Sequence, residues 1–80
     1  MFSVYVLRSL KDRRFYIGQT NNLEERTRRH NEGRVPSTKG RRPLVLIWSE
    51  SYDTRSEAVI RERELKSLKA NKKFRDLVHA

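Results

Sequence analysis

The chain opens on an unbroken strand-forming stretch, Phe2-Ser3-Val4-Tyr5-Val6-Leu7, rich in β-branched and aromatic residues. Leu10-Lys11-Asp12-Arg13 reads as a turn. Phe15-Tyr16-Ile17-Gly18-Gln19 follows as a second strand, so the first thirty residues begin with a hairpin. Asn21 or Asn22 can cap a helix, and Glu25 is placed to complete a capping box from Asn22. That helix should run to about Asn31 and stop at Gly33. Pro36, Gly40 and Pro43 mark residues 34–43 as a loop. The continuous apolar run Leu44-Val45-Leu46-Ile47-Trp48 predicts a buried strand. Thr54 with Glu57 opens a second helix that should reach about Leu68, and Phe74, Leu77 and Val78 have the spacing of a short closing helix. The predicted order is β-β-α-β-α-α, an α/β (α+β) fold with a small, mostly antiparallel sheet.

Three places break the apolar pattern, and each needs a reason. On the second helix, Ala58 and Leu65 define the buried stripe, and Glu62 lies on it between them. A carboxylate there must be paired, hydrogen-bonded or metal-bound. A salt bridge to a nearby arginine is one reading; a ligand for a hard cation such as Mg²⁺ is the other. On the first helix, the sheet-facing side carries Leu23, Arg26, Thr27 and His30, of which only Leu23 is apolar. This is either a plain polar surface helix, weakly docked, or one held by something other than apolar contact. In the hairpin, a four-residue turn pairing Ser9 with Arg14 sets Tyr5 opposite Gly18 and Leu7 opposite Tyr16. Tyr5 and Tyr16 then share a face, with space left beside Tyr5 by Gly18. Ordinary half-buried tyrosine packing is the alternative.

Composition bounds what such a chain can be. Its 80 residues, 35% apolar and 36% charged, allow one small domain, taken as residues 1–80. Cysteine is absent, which excludes a disulfide framework and thiolate chemistry. No apolar run approaches the ~20 residues of a membrane span, and the start lacks the features of a secretory signal, so the expected compartment is cytoplasmic. The net charge of +9 points to a polyanion, most simply nucleic acid. Thirteen of the 19 basic residues are arginine, whose planar fork suits phosphate. Residues 1–42 carry 11 basic and 4 acidic side chains, residues 43–80 carry 8 and 6, so the excess is concentrated early.

Two phenols, a guanidinium, an imidazole and a carboxylate around one sheet form the inventory that phosphodiester hydrolysis requires: a base for water, a cation for the phosphoryl oxygens, a metal for the leaving oxygen. A free tyrosine, with a pKa near ~10, acts as a base at neutral pH only beside a positive group or through a proton relay.

The residues carrying these signals occur in a recognisable order. Val4-Tyr5-Val6-Leu7, Phe15-Tyr16-Ile17-Gly18-Gln19-Thr20, Asn22-Leu23-Glu24-Glu25-Arg26 with His30, Pro36-Ser37-Thr38-Lys39-Gly40-Arg41-Arg42-Pro43-Leu44, and Glu57-Ala58 with Glu62 cover nearly the whole chain. Together they resemble the GIY-YIG nuclease superfamily, and above all its short stand-alone bacterial members. The resemblance implies a three-stranded antiparallel sheet flanked by helices. It also implies a single-metal nuclease using Mg²⁺ or Mn²⁺, with a role in DNA repair or recombination. By position, Tyr5 and Tyr16 match the two motif tyrosines and Arg26 the arginine that steadies the scissile phosphate. His30 sits where the family often has histidine or tyrosine, and Glu62 matches the metal-binding glutamate. Tyr5 is favoured as acceptor of the water's proton. The sequence departs from the pattern at Ser3-Val4, where a glycine and an isoleucine are usual. Asn71 is the nearest counterpart of an asparagine found near the end of many relatives' domains, and it equally suits a cap for the last helix. Relatives commonly add a DNA-binding domain; here a protein partner would have to supply specificity.

Lys39, Arg41 and Arg42 on the long loop, with Arg28 and Arg29 on the outer side of the first helix, are expected to hold phosphates without reading sequence. A solvated basic surface is the alternative. Trp48 is expected in the core rather than as a base-stacking platform. The leading expectation is a metal-dependent nuclease acting on DNA by structure. A non-catalytic nucleic-acid-binding module of the same fold is the rival, and an RNA-associated basic protein is a third reading.

Overall fold

Strand β1 (Phe2–Ser9) pairs antiparallel on both sides, with β2 (Phe15–Thr20) and with β3 (Leu44–Tyr52), giving the sheet order β2-β1-β3. Its central place accounts for its composition: Val4, Tyr5, Val6 and Leu7 are all buried completely, with one set facing each side of the sheet. Helices α1 (Leu23–Asn31), α2 (Arg55–Leu68) and α3 (Lys72–Val78) complete the predicted order. The structure is a computed structural model that describes residues 1–69 and 71–78; residues 70, 79 and 80 of the expected 1–80 domain lie outside the described residues.

Local chemistry sets the element boundaries. The four-residue turn closes with Ser9 N–H donating to the Arg14 carbonyl at 2.9 Å, and Arg13 takes a positive φ of 64°. The resulting register sets Tyr5 against Gly18 and Leu7 against Tyr16, as the turn length implies. Asn22 caps α1 by accepting from the Glu25 amide at 3.2 Å, and Thr54 caps α2 by accepting from the Glu57 amide at 3.3 Å. Gly33, with φ 79°, ends α1: its N–H reaches the His30 carbonyl while that of Arg34 reaches Arg29. Asn71 acts as the cap of α3, its side chain accepting from the Lys73 amide at 2.9 Å.

The sheet separates two clusters. Val4, Val6 and Ile17 pack against Ala58 and Leu65 of α2 and Phe74 and Val78 of α3. Each large side chain buried there contributes roughly 1.5–3 kcal/mol. Trp48 lies half-buried against this cluster, under the Arg61 guanidinium, consistent with a core role. On the other face, Tyr5, Leu7 and Leu44 are joined by Tyr16 and Leu23.

Two expectations are corrected. β3 is an edge strand rather than a buried one: Val45 and Leu46 are 42% and 38% exposed, because β1 takes the centre. It also continues to Tyr52, since Ser49–Tyr52 pair with Tyr5–Phe2 despite their polarity. The expected 34–43 loop forms, and part of it is buried. Val35 and Thr38 are buried, a 3₁₀ turn forms at Lys39–Arg41, and the buried Ser9 hydroxyl donates to the Arg41 carbonyl at 2.6 Å.

Candidate active site

Helix α1 has one apolar anchor, Leu23, so polar bonds must dock it. Asn31 supplies two, accepting from the Leu44 amide at 2.8 Å and donating to its carbonyl at 2.9 Å, as a neighbouring strand would. His30 supplies the rest. It is fully buried, four residues from Arg26 on the same face, and its ring lies between Tyr5 and the loop.

A single hydrogen-bonded chain runs through it. Thr38 Oγ1 donates to the Val35 carbonyl at 3.4 Å and lies 2.8 Å from His30 Nδ1. With the Thr38 hydroxyl turned to Val35, the consistent tautomer has Nδ1–H donating to Thr38 and the lone pair on Nε2, which lies 2.9 Å from the Tyr5 hydroxyl. In that tautomer Tyr5 donates to His30, and it accepts from Arg26 Nε–H at 3.3 Å. Tyr16 completes the group, its ring 4.8 Å from that of His30 and 6.3 Å from that of Tyr5.

Burial shapes the electrostatics. Desolvation pushes the Tyr5 phenol up to about 12, outweighing the stabilising bond from Arg26. Desolvation, reinforced by the Arg26 charge, holds His30 down to about 4, so the imidazole is neutral at pH 7. Arg26 is raised, first by its bond to Tyr5, with Tyr16 contributing as well.

Gly18 makes this arrangement possible. A Cβ there would lie 2.6 Å from the Tyr5 hydroxyl and 3.2 Å from the Tyr16 ring. The Tyr5 side chain thus crosses the edge strand over bare backbone. Glu62 comes from α2, on the opposite face, yet its charge still reaches the Tyr5 phenol and helps to raise its pKa. Its side chain is 20% exposed and bonded by Lys66 Nζ at 2.9 Å; the pairing residue is a lysine one turn on, not an arginine.

Tyr5, Tyr16, Arg26 and His30 are thus drawn together, with Glu62 within electrostatic reach. The five basic residues expected at phosphates are scattered. Arg29 lines a polar cleft of about 400 Å³ beside Arg26. Lys39 and Arg42 border a separate groove with Lys11, and Arg42 is tied back by its Nε to the Lys39 carbonyl at 2.9 Å. Arg28 is exposed and paired with Glu32 at 2.9 Å. Arg41 is committed within the molecule, its guanidinium bonded to Asp12 at 3.2 Å and to the Phe15 carbonyl at 3.2 Å. Such a guanidinium braces the hairpin against the loop.

Two participants escaped the sequence reading. Thr38 belongs to the hydrogen-bonded chain, and no sequence signal distinguishes it from the hydroxyls around it. Arg55 lines the cleft with Arg26 and Arg29. Its signal was a basic residue in the first turn of α2, where the helix dipole disfavours one.

No group of three or more histidine, cysteine, aspartate or glutamate side chains suited to a metal occurs among the described residues. A hard cation needs less: Mg²⁺ is commonly bound through one or two carboxylates, with waters and substrate phosphates filling the other positions. Glu62, part-exposed and paired with the exposed Lys66, fits that requirement.

This fold, with paired strand tyrosines facing an arginine and a histidine on one helix, matches a known catalytic family. Residues 1–75 match the model of the GIY-YIG catalytic domain, and the chain belongs to that family of nuclease domains. It is 40% identical to a UPF0213 protein of Staphylococcus haemolyticus, over 90% of this chain and 88% of that one. It is 44% identical to a UPF0213 protein of Natronomonas pharaonis, over 90% and 85% of the two chains. Identity to the UPF0213 protein YazA of Bacillus subtilis is 44%, over 79% of this chain and 65% of the relative. No helix among the described residues is long and apolar enough to cross a membrane.

Proposed function

We propose that this protein is an endonuclease that hydrolyses phosphodiester bonds in DNA with one divalent metal ion, Mg²⁺ or Mn²⁺, recognising the shape of its substrate rather than base sequence. The observation that carries this reading is the continuous chain Thr38–His30–Tyr5–Arg26, which ends in a guanidinium beside an open polar cleft.

Arg26 offsets charge on the phosphoryl oxygens as the transition state forms. Tyr5 stays protonated at neutral pH, because its pKa is pushed up to about 12. It therefore acts as a relay and not as a standing phenolate. As water attacks phosphorus, the Tyr5 oxygen takes the water's proton while its own passes to His30 Nε2. Thr38 holds the imidazole in the tautomer that leaves Nε2 free. The phosphate charge arriving at Arg26 relieves the positive charge that depresses His30, so substrate binding itself raises the basicity of the relay's end. Tyr16 packs the imidazole in place. Glu62 would hold the cation, which when bound stabilises charge on the leaving oxygen. Lys66 must swing aside for this, a small cost for an exposed pair. A cytosolic setting and a partner protein that chooses the target complete the reading.

The pairing of Glu62 with Lys66 favours a second reading, a non-catalytic nucleic-acid-binding module. A cleavage panel separates the two. Single-stranded, nicked, flapped and branched DNA, with RNA alongside, is incubated with Mg²⁺ or Mn²⁺. Metal-dependent cleavage of DNA should fall by roughly 10²–10³ in Arg26→Ala and in Glu62→Ala. Equal activity in Glu62→Ala, or activity without metal, overturns the assignment. Salt-sensitive binding with no cleavage selects the module instead.

A further inference from the structure

The cleft beside Arg26 brings three arginines, Arg26, Arg29 and Arg55, to one space of about 400 Å³. Guanidinium groups that share a cleft repel one another, and a chain keeps them there most readily when an anion is to be held between them. One acid answers them: Glu25, 3.0 Å from Arg29. Arg26 is bonded to a neutral phenol. Arg55 donates to the neutral Gln19 side-chain carbonyl at 3.3 Å, while its guanidinium lies over the Phe2 ring at 4.8 Å. Gln19 and Phe2 thus aim a charged group without neutralising it. Arg55 also opens α2, where the helix dipole disfavours a cation, so its place is not explained by helix stability. The amide end of α1 does not account for the cleft either, since Asn22 caps it from within.

We propose that Arg55 and Arg29 form a second phosphate subsite, gripping the phosphodiester adjacent to the one at Arg26 on the same strand. The identity of that neighbouring phosphate rests on the nuclease reading; the anion site itself does not. Arg26 and Arg29 are three residues apart on α1, with Cβ atoms roughly 5–6 Å apart, a step that successive phosphates of one strand can bridge. The cleft lining is polar and offers no apolar platform for a base, so the contact is to backbone and carries no sequence preference. Arg55 is a positioning residue: it fixes the strand's register against Arg26 without touching the reacting atoms.

The test uses the full chain and a labelled single-stranded oligodeoxynucleotide in metal-free buffer, titrated with salt. Arg55→Gln should weaken binding roughly tenfold at low salt and reduce the slope of log affinity against log salt by about 0.7, one phosphate contact. Arg55→Lys should keep the slope but lose part of the affinity, because the charge remains and the fork is gone. Arg63→Gln, the same charge change at an exposed position of α2, should leave both near wild type. In the cleavage assay, Arg55→Gln should raise KM roughly tenfold and so differ from Arg26→Ala, which lowers kcat. Equal salt slopes for Arg55→Gln and Arg63→Gln would overturn the subsite. If Arg55→Gln fails to fold, as thermal melting would reveal, a flattened slope in Arg55→Lys overturns it instead. Arg55-dependent binding by a wild-type protein that cleaves nothing would strike the nuclease reading alone and leave the subsite standing.

Discussion

On the sheet face covered by α2 and α3, Val4, Val6 and Ile17 meet Ala58, Leu65 and Phe74 through carbon contacts. On the face covered by α1, Tyr5 and Tyr16 meet His30 and Arg26, and the contacts are hydrogen bonds between titratable groups. The two faces share one central strand, whose alternate residues feed each in turn. The difference shows how so small a domain carries a cluster of buried titratable groups. Apolar burial is concentrated on one side, so the other can hold a buried imidazole and phenol whose desolvation works against folding. Helix α1 is correspondingly tethered by Asn31 and His30 and not by an apolar stripe.

The comparison is broken most forcefully from the apolar side. Leu65→Ala empties a fully buried position and should cost about 2–5 kcal/mol in urea unfolding, with DNA affinity per folded molecule retained. The polar face should reveal itself through pH. His30 titrates near 4 in the folded protein and near 6.5 when unfolded, so the unfolded chain binds the extra proton between those values. The contribution of neutral His30 is complete above pH 6.5 and is lost as pH falls from 6.5 towards 4, by at most about 3 kcal/mol. Denaturation of wild type and His30→Gln across that window checks this; the variant should lose the acid limb. Gly18→Ala tests the seam between the faces. Its methyl would meet the pinned Tyr5 hydroxyl at 2.6 Å, and Tyr5 cannot yield without leaving His30 and Arg26. A loss of about 1–3 kcal/mol is expected, with cleavage falling further than stability explains. The smallest effect belongs to Arg28→Ala, which removes an exposed pair with Glu32 and should change stability by about 0.5 kcal/mol or less.

Much of the fold was legible before any coordinates, for reasons that differ by element. Asn22, Gly33 and Thr54 act on amides within a few residues, so their signals survive intact in a linear reading. The hairpin register followed from turn length and the two-residue period of a strand. β3 misled, because an apolar run states that a strand meets a core on some side and says nothing about whether both of its edges are paired. The candidate residues Tyr5, Tyr16, Arg26, His30 and Glu62 stood out because each breaks an apolar pattern, and the structure brings the first four together. The partners of Arg41 and Thr38 were not legible, because an arginine and a hydroxyl in a loop look alike whether they face solvent or a partner.

The sequence by itself determined the order of elements, their caps, the facing of the two tyrosines and the excess of positive charge, all properties of residues a few positions apart. Tertiary structure alone decided which arginines share the Arg26 cleft, that Thr38 meets the His30 ring across eight residues, and that Arg41 braces the hairpin across 29. The physical reason is distance. A cap or a turn acts through backbone geometry that neighbouring residues dictate. A long side chain on a loop can satisfy its donors with any acceptor the folded chain brings within 3 Å or so, and only packing selects which.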